Sequence, residues 1–202
     1  MLIQMHEVNP QPRLLAQVAE CLKDGGVIIY PTDTIYGLGC DISQTKAVER
    51  ICKIKDVDPK KAQLSFICQD LSHLSDYTKS IDTPLYRMLK QYLPGPYTFI
   101  LPASKAVPKI LKSKKETIGL RIPDNEICRQ ILETLGNPIL SASLPGNMVD
   151  EYTDPEVIYE KLGDKVDFVI DGGIGSMTPS TIVDCTTDDW HITRQGAGEW
   201  EG

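Results

Sequence analysis

Residues 27–39, Val27-Ile28-Ile29-Tyr30-Pro31-Thr32-Asp33-Thr34-Ile35-Tyr36-Gly37-Leu38-Gly39, decide how the rest of the chain is read. The run Val27 to Tyr30 is β-branched and aromatic, the composition of a strand buried on both faces. Pro31 has no N–H to give to a ladder, so the strand stops there. Two threonines then flank an aspartate just past the carboxyl end of that strand, where open α/β sheets bind ligands. Gly37 and Gly39 permit a turn, or a close approach of backbone to ligand. The same residues also suit a plain strand-exit turn in which Asp33 and Thr34 satisfy local backbone groups.

Outward from this stretch, strands alternate with helices. Leu14, Leu15, Val18, Ala19 and Leu22 recur at helical spacing before Gly25-Gly26. Ser43 is positioned to cap a helix carrying Ala47, Val48 and Ile51. Leu64–Cys68 reads as a strand, and Pro84 opens a helix that ends before Pro94-Gly95-Pro96. Tyr97–Leu101 and Thr117–Ile122 read as strands, followed by a helix over Ile127–Leu135 closed by Gly136-Asn137. Ile139–Ser143 is a buried strand ending in hydroxyls, and Asp154-Pro155 starts a helix. Phe168–Ile170, Ser180–Val183 and His191–Arg194 complete the strands, and the last two look like a hairpin. The pattern predicts one α/β domain over residues 1–202, with helices packed on a twisted mixed sheet under one core.

Composition narrows the class. At 202 residues, with 41% hydrophobic and 24% charged residues, the chain has the make-up of a soluble globular protein. It has no run near the ~20 apolar residues of a membrane helix. Its first residues lack the pattern of a secretory signal, and its six cysteines are scattered without a Cys-x-x-Cys pair. A cytoplasmic location is expected, with no membrane partner and no structural zinc. The net charge of -7 argues against indiscriminate nucleic-acid binding, but it is unevenly spread. Residues 1–122 hold 17 Lys and Arg against 12 Asp and Glu, whereas residues 123–202 hold 4 against 16. Lys105, Lys109, Lys112, Lys114 and Lys115 crowd one segment, either as a local basic surface or as a solvated loop.

Hydroxyls recur at strand ends: Thr32 and Thr34, Ser141 and Ser143, Ser180 and Thr181. Arg121 lies inside the apolar run Thr117-Ile-Gly-Leu-Arg-Ile-Pro123 and needs a partner or a ligand there. Arg194 ends the last strand, and Lys53 and Lys55 stand at a helix end, where they also complement the helix dipole. Hydroxyls, arginines and lysines without a Cys–His or Ser–His pairing suit anion binding better than covalent hydrolysis. The chain has neither a P-loop nor a Gly-x-Gly-x-x-Gly fingerprint. His6, His73 and His191 are isolated and lack metal-ligand spacing, so no metal site is expected.

Six ordered motifs make the chain resemble the YrdC/YciO family, whose catalytic members are threonylcarbamoyl-AMP synthases of tRNA modification. They are Tyr-Pro-Thr-Asp-Thr-Ile-Tyr-Gly-Leu-Gly (30–39), Pro-Gly-Pro-Tyr-Thr-Phe-Ile-Leu (94–101), Thr-Ile-Gly-Leu-Arg-Ile-Pro (117–123), Leu-Ser-Ala-Ser-Leu-Pro-Gly (140–146), Pro-Ser-Thr-Ile-Val-Asp (179–184) and Arg-Gln-Gly (194–196). The segment up to Arg13 and the run Glu49-Arg50-Ile51-Cys52 look closest to the YciO branch. The resemblance implies a twisted mixed sheet curved around a basic concave groove, without the C-terminal domain that some relatives carry.

It also implies ATP-dependent condensation of L-threonine with bicarbonate, giving threonylcarbamoyl-AMP and pyrophosphate, with magnesium borne by ATP. No covalent nucleophile is needed where substrates are aligned and phosphate charge is neutralised. By the same resemblance Thr34, Arg121 and Ser180 would surround threonine. Lys53, Lys55, Thr117, Ser141, Ser143 and Arg194 would surround the nucleotide. The synthases carry Lys-x-Arg and Ser-x-Asn where this chain has Lys53-Ile54-Lys55 and Ser141-Ala142-Ser143. Each departure removes ~1–3 kcal/mol of charge-assisted hydrogen bonding, so weakened synthase activity is expected. The alternative is a translation-related protein that binds tRNA, double-stranded RNA or the ribosome through the same groove without catalysis. A different nucleotide-dependent reaction on the same scaffold is a third reading.

Overall fold

Ile28 and Ile29 are adjacent and both fully buried, yet they enter two different cores. Consecutive strand residues point to opposite faces, so a strand apolar at every position must be covered on both sides. The computed structural model, which describes residues 1–58, 62, 64–107, 111, 116–146 and 152–201, shows what covers it. The strands are β1 (Leu2–Gln4), β2 (Ile28–Tyr30), β3 (Gly37–Asp41), β4 (Ser65–Ile67), β5 (Tyr97–Pro102), β6 (Thr117–Arg121), β7 (Ile139–Ser143), β8 (Phe168–Asp171), β9 (Thr181–Asp184) and β10 (His191–Arg194). The helices are α1 (Pro12–Lys23), α2 (Thr45–Ile54), α3 (Leu71–Ser75), α4 (Thr83–Tyr92), α5 (Glu126–Leu135) and α6 (Pro155–Leu162). The strands form one sheet in the order β1-β8-β2-β3-β7-β4-β6-β5-β9-β10, with parallel and antiparallel neighbours. The expected mixed sheet is present, and β9 and β10 are the antiparallel pair at one edge.

On one face, Leu15, Val18 and Leu22 of α1 and Ile127, Ile131 and Leu135 of α5 meet Ile28, Tyr30, Ile67, Ile139 and Ile170. On the other face, residues of α2, α3, α4 and α6 cover Ile29, Leu38, Phe66, Phe99, Leu120, Leu140 and Val183. None of the residues in the α1–α5 core comes from β5, β6, β9 or β10, so those strands' residues on that face are left for something else. No helix among the described residues is long and apolar enough to cross a membrane.

Local signals set most boundaries. Pro12 occupies the first turn of α1, Asp82 and Asn125 cap α4 and α5 through their side chains, and Gly136 closes α5 in the left-handed region at φ 77. Ser43 does not cap α2. Gln44 flanks that helix without a side-chain cap, and the Ser43 N–H instead donates to the Asp41 carboxylate at 2.8 Å. Three elements, β1, α3 and β3, lie outside the sequence expectation. Strand β3 is central, and glycine at two of its five positions reads as a turn rather than a strand. Its glycines are required by a crossing ring. A Cβ on Gly39 would stand 2.6 Å from Ile139 Cγ2 and 2.8 Å from Tyr30 Cε1.

Small residues continue across the sheet. Register pairs Gly39 with Ser141, Ser141 with Ser65, and Ser65 with Gly119, so one face carries a row of hydrogens and hydroxymethyls where bulk would otherwise stand. That row makes a hollow. Replacing Gly39 with alanine is expected to lower the urea midpoint by the equivalent of about 1–3 kcal/mol without changing the slope. An unchanged or higher midpoint would show that the ring moves aside freely.

Candidate functional site

The hollow deepens into a cavity of about 360 Å³, a size usual for small-molecule sites. Its wall includes Thr32, Gly37, Lys55, Ser65, Thr98, Arg121, Ser141, Ser143, Ser180 and Arg194. Arg121 shares a register pair with Ile67, Thr98 with Ile182, and Ile182 with Arg194. These side chains therefore stand on the sheet face that α1 and α5 cover further along. Apolar residues meet helices at one end of that face, and polar residues line the cavity at the other.

Arg121 is the most constrained of them. Its guanidinium forms an ion pair with Asp33, and the two side chains are only 9% and 10% exposed. The same nitrogen donates to Thr34 Oγ1 at 2.7 Å and lies 3.5 Å from Thr32 Oγ1. Thr32 in turn donates to the Ile35 carbonyl at 2.8 Å and accepts from the Thr34 N–H at 3.0 Å. The residues after β2 thus close a local turn, but it is Thr32 that satisfies the backbone groups there, whereas the Asp33 and Thr34 side chains are turned to a cavity arginine. Arg121 Nε and Asp33 Oδ2 are buried with no hydrogen-bond partner.

Two further cations meet the wall. Arg194 donates to the Ser180 carbonyl at 2.7 and 3.2 Å and to Ser180 Oγ at 3.2 Å. Ser180 Oγ lies 2.8 Å from Thr98 Oγ1. Burial, and then the nearby positive charge of Arg121, hold Arg194 below the usual arginine value. Lys55 donates to the Ser143 carbonyl at 2.6 Å and to Ser143 Oγ at 3.0 Å, and burial lowers its ionisation below the usual lysine value. Among the described residues neither Lys55 nor Arg194 has a carboxylate within ion-pair distance. Cationic and hydroxyl donors around a hollow are suited to anionic ligands.

Of the nine residues that the resemblance assigns to a site, Lys55, Arg121, Ser141, Ser143, Ser180 and Arg194 line this cavity. Thr34 is 1% exposed and stands behind the wall, in contact with the lining residues Arg121 and Thr32. Lys53 and Thr117 stand elsewhere. Lys53 is two helix positions from Lys55, which turns it to another side, where it lines a separate depression with Glu49, Cys52 and Asp56. Thr117 shares a sheet face with Arg121 but begins β6, about 13 Å back along the strand. Lys105 is exposed, and Lys109, Lys112, Lys114 and Lys115 lie outside the described residues. The sequence gives no sign that Ser65 and Thr98 border the same hollow, or that Tyr30 stands behind its Ser141; strand register and the Tyr30–Ser141 hydrogen bond reveal it. Among the described residues no group of three or more His, Cys, Asp and Glu side chains could hold a metal ion.

Comparison with known proteins places this geometry among others. A family model for Sua5, YciO and YrdC, described as "Telomere recombination", matches residues 20–196. YciO of Escherichia coli K12, named an uncharacterized protein, is 44% identical over 198 residues, covering 96% of this chain and 95% of its own. The crystal structure of E. coli YciO superposes with a TM-score of 0.91 at 42% identity, over 98% of this chain and 97% of that one. A threonylcarbamoyl-AMP synthase of Vibrio vulnificus YJ016 is 32% identical over 186 residues, covering 90% of this chain and 98% of its own. Sua5 of P. abyssi, solved in complex with L-threonine, superposes with a TM-score of 0.86 at 26% identity, over 97% of this chain but 57% of that longer one.

Removing Arg121 as Arg121→Met leaves the Asp33 carboxylate buried and unanswered, at an expected cost of about 3–5 kcal/mol. Adding Asp33→Asn should recover most of that loss in thermal or urea unfolding. Equal or additive losses would show that the pair contributes nothing as a pair.

Proposed function

The chain belongs to the Sua5/YciO/YrdC family, and on that premise we propose that its cavity binds ATP and L-threonine together and makes threonylcarbamoyl-AMP. The observation that carries the reading is the convergence of Arg121 and Ser180 with Lys55, Ser141, Ser143 and Arg194 on one hollow. It is supported by the bound L-threonine of the P. abyssi Sua5 structure, whose fold this chain shares. In this reading Arg121, held by Asp33 and Thr34, and Ser180 face the amino acid. Lys55, Ser141, Ser143 and Arg194 face the phosphates, and Lys53 and Thr117 take no part.

Threonine nitrogen joins the carbon of bicarbonate with loss of water. The carbamate oxygen then displaces pyrophosphate from the α-phosphorus of ATP, to which magnesium is bound as part of the substrate. Each step asks the protein for alignment and for neutralisation of phosphate charge, and for no covalent nucleophile. Transfer of the threonylcarbamoyl group to tRNA falls to partner proteins. The two departures from the synthase pattern, 88 residues apart in sequence, are in contact, because Lys55 donates to Ser143. Bound there, the ammonium has fewer protons left for a ligand than a free one, and slower turnover than in the synthases is the expected result.

With ATP, bicarbonate and magnesium, pyrophosphate release is expected only when L-threonine is added. Arg194→Ala should lower it roughly tenfold to a hundredfold. Release that ignores threonine, or none at all, would remove the synthase reading. The paired replacement Lys55→Arg with Ser143→Asn is expected to raise the threonine-dependent rate by roughly tenfold or more, and by more than either change alone. A paired variant no faster than wild type would exclude this contact as the cause of slow turnover.

A further inference from the structure

Ser141 is presented to the cavity by a side chain that never reaches the surface. Tyr30 is 0% exposed, in the core beneath α1 and α5, and its hydroxyl donates to Ser141 Oγ at 2.8 Å. Strand β3 lies between β2, which carries Tyr30, and β7, which carries Ser141. The phenol ring therefore has to cross a strand. It does so over the two glycines of β3. A Cβ on Gly37 would stand 3.0 Å from Ser141 Oγ and 3.1 Å from Tyr30 Cε1, and one on Gly39 would stand 2.8 Å from that ring carbon. Glycine weakens a strand interior, so two alternate glycines in a central strand call for a reason, and the passage of this ring is one.

The direction of the bond determines what the cavity meets. Tyr30 has one proton and, among the described residues, one acceptor for it, Ser141 Oγ. Were Ser141 the donor, the phenol proton would be buried unpaired, which is costly. The serine therefore accepts from below and keeps its own O–H. That hydrogen is free to point into the cavity that Ser141 lines, and an O–H donor matches an anionic oxygen.

We propose that Tyr30 is a positioning residue, fixing the Ser141 hydroxyl as a donor to the phosphate oxygens of a bound nucleotide. The proposal rests on reading the cavity as a nucleotide site and adds to it a residue that no ligand touches. Without the Tyr30 hydroxyl, Ser141 is free to turn its lone pairs toward the phosphate and lose the contact.

The test is a double-mutant cycle read as ATP affinity by calorimetric titration of the full chain. Tyr30→Phe is expected to weaken ATP binding roughly fivefold to tenfold, and Ser141→Ala by a similar or larger factor. The double variant should bind no more weakly than Ser141→Ala alone. Replacing Tyr30 with p-aminophenylalanine keeps the ring and a donor and should restore affinity. Should Tyr30→Phe fail to fold, Gly39→Ala, which is outside the cavity wall and crowds the Tyr30 ring, is expected to weaken ATP binding only when Ser141 is present. Effects that simply add, or no rescue by the amino group, would overturn the positioning role. The outcomes also separate the two readings. Coupling without threonine-dependent pyrophosphate release removes the synthase and leaves Tyr30 in place, whereas release with additive mutants does the opposite. A wild type that binds no ATP removes both.

Discussion

A guanidinium taken into a protein interior needs an opposite charge, and the position of that charge constrains everything attached to it. Arg121 belongs to β6 and Asp33 to the turn after β2, strands that stand four places apart in the sheet. Their pairing ties the two together across the sheet face and draws Thr32 and Thr34 with it. The cavity takes its shape from this tie. It also consumes most of the charge of its most buried cation, so the electrostatic character of the wall is set by Lys55 on one side and Arg194 on the other.

The sheet divides its labour along one face. Where α1 and α5 lie over it, the strands present Ile28, Tyr30, Ile139 and Ile170, and burial of that apolar area stabilises the fold. Further along, the same face presents Ser65, Thr98, Arg121 and Arg194, with Gly119 leaving room between them. Tyr30 links the two regions, since its ring belongs to the core and its hydroxyl to the site. A cavity wall fastened in this way to packed strands is held in place by the core itself, as the proposed alignment of two substrates would require.

Periodicity and punctuation made most elements readable. The helical spacing of Leu15, Val18 and Leu22, Pro84 in the first turn of α4, and Gly136 after α5 each reflect local chemistry, and each appears as expected. What failed was non-local. Strand β3 was hidden because its glycines answer to Tyr30 and Ile139, residues remote in sequence. The expected Ser43 cap fails because α2 begins one residue too late for it: Gln44 holds the flanking position, and the Ser43 N–H is bound by the Asp41 carboxylate. Within the site, strand-end hydroxyls and the lone arginine of an apolar strand were visible as chemistry without a place. Which of them meet depends on strand order and register, and on distance along a strand, which separates Thr117 from Arg121 although both sit on one face of β6. Lys53 and Lys55 make the same point on a helix, where two positions suffice to turn a side chain to another side.

In the proposed function one hollow, bordered by Arg121 and Ser180 toward one end and by Lys55 and Ser141 toward the other, receives two ligands side by side. A crystal structure of this chain grown with L-threonine and a non-hydrolysable ATP analogue tests it most directly. The amino acid's carboxylate is expected against Arg121 and the phosphates within hydrogen-bond reach of Arg194, Lys55 and the Ser141 hydroxyl. Ligands bound at another surface, or a cavity that stays filled with water at saturating concentrations of both, would contradict it.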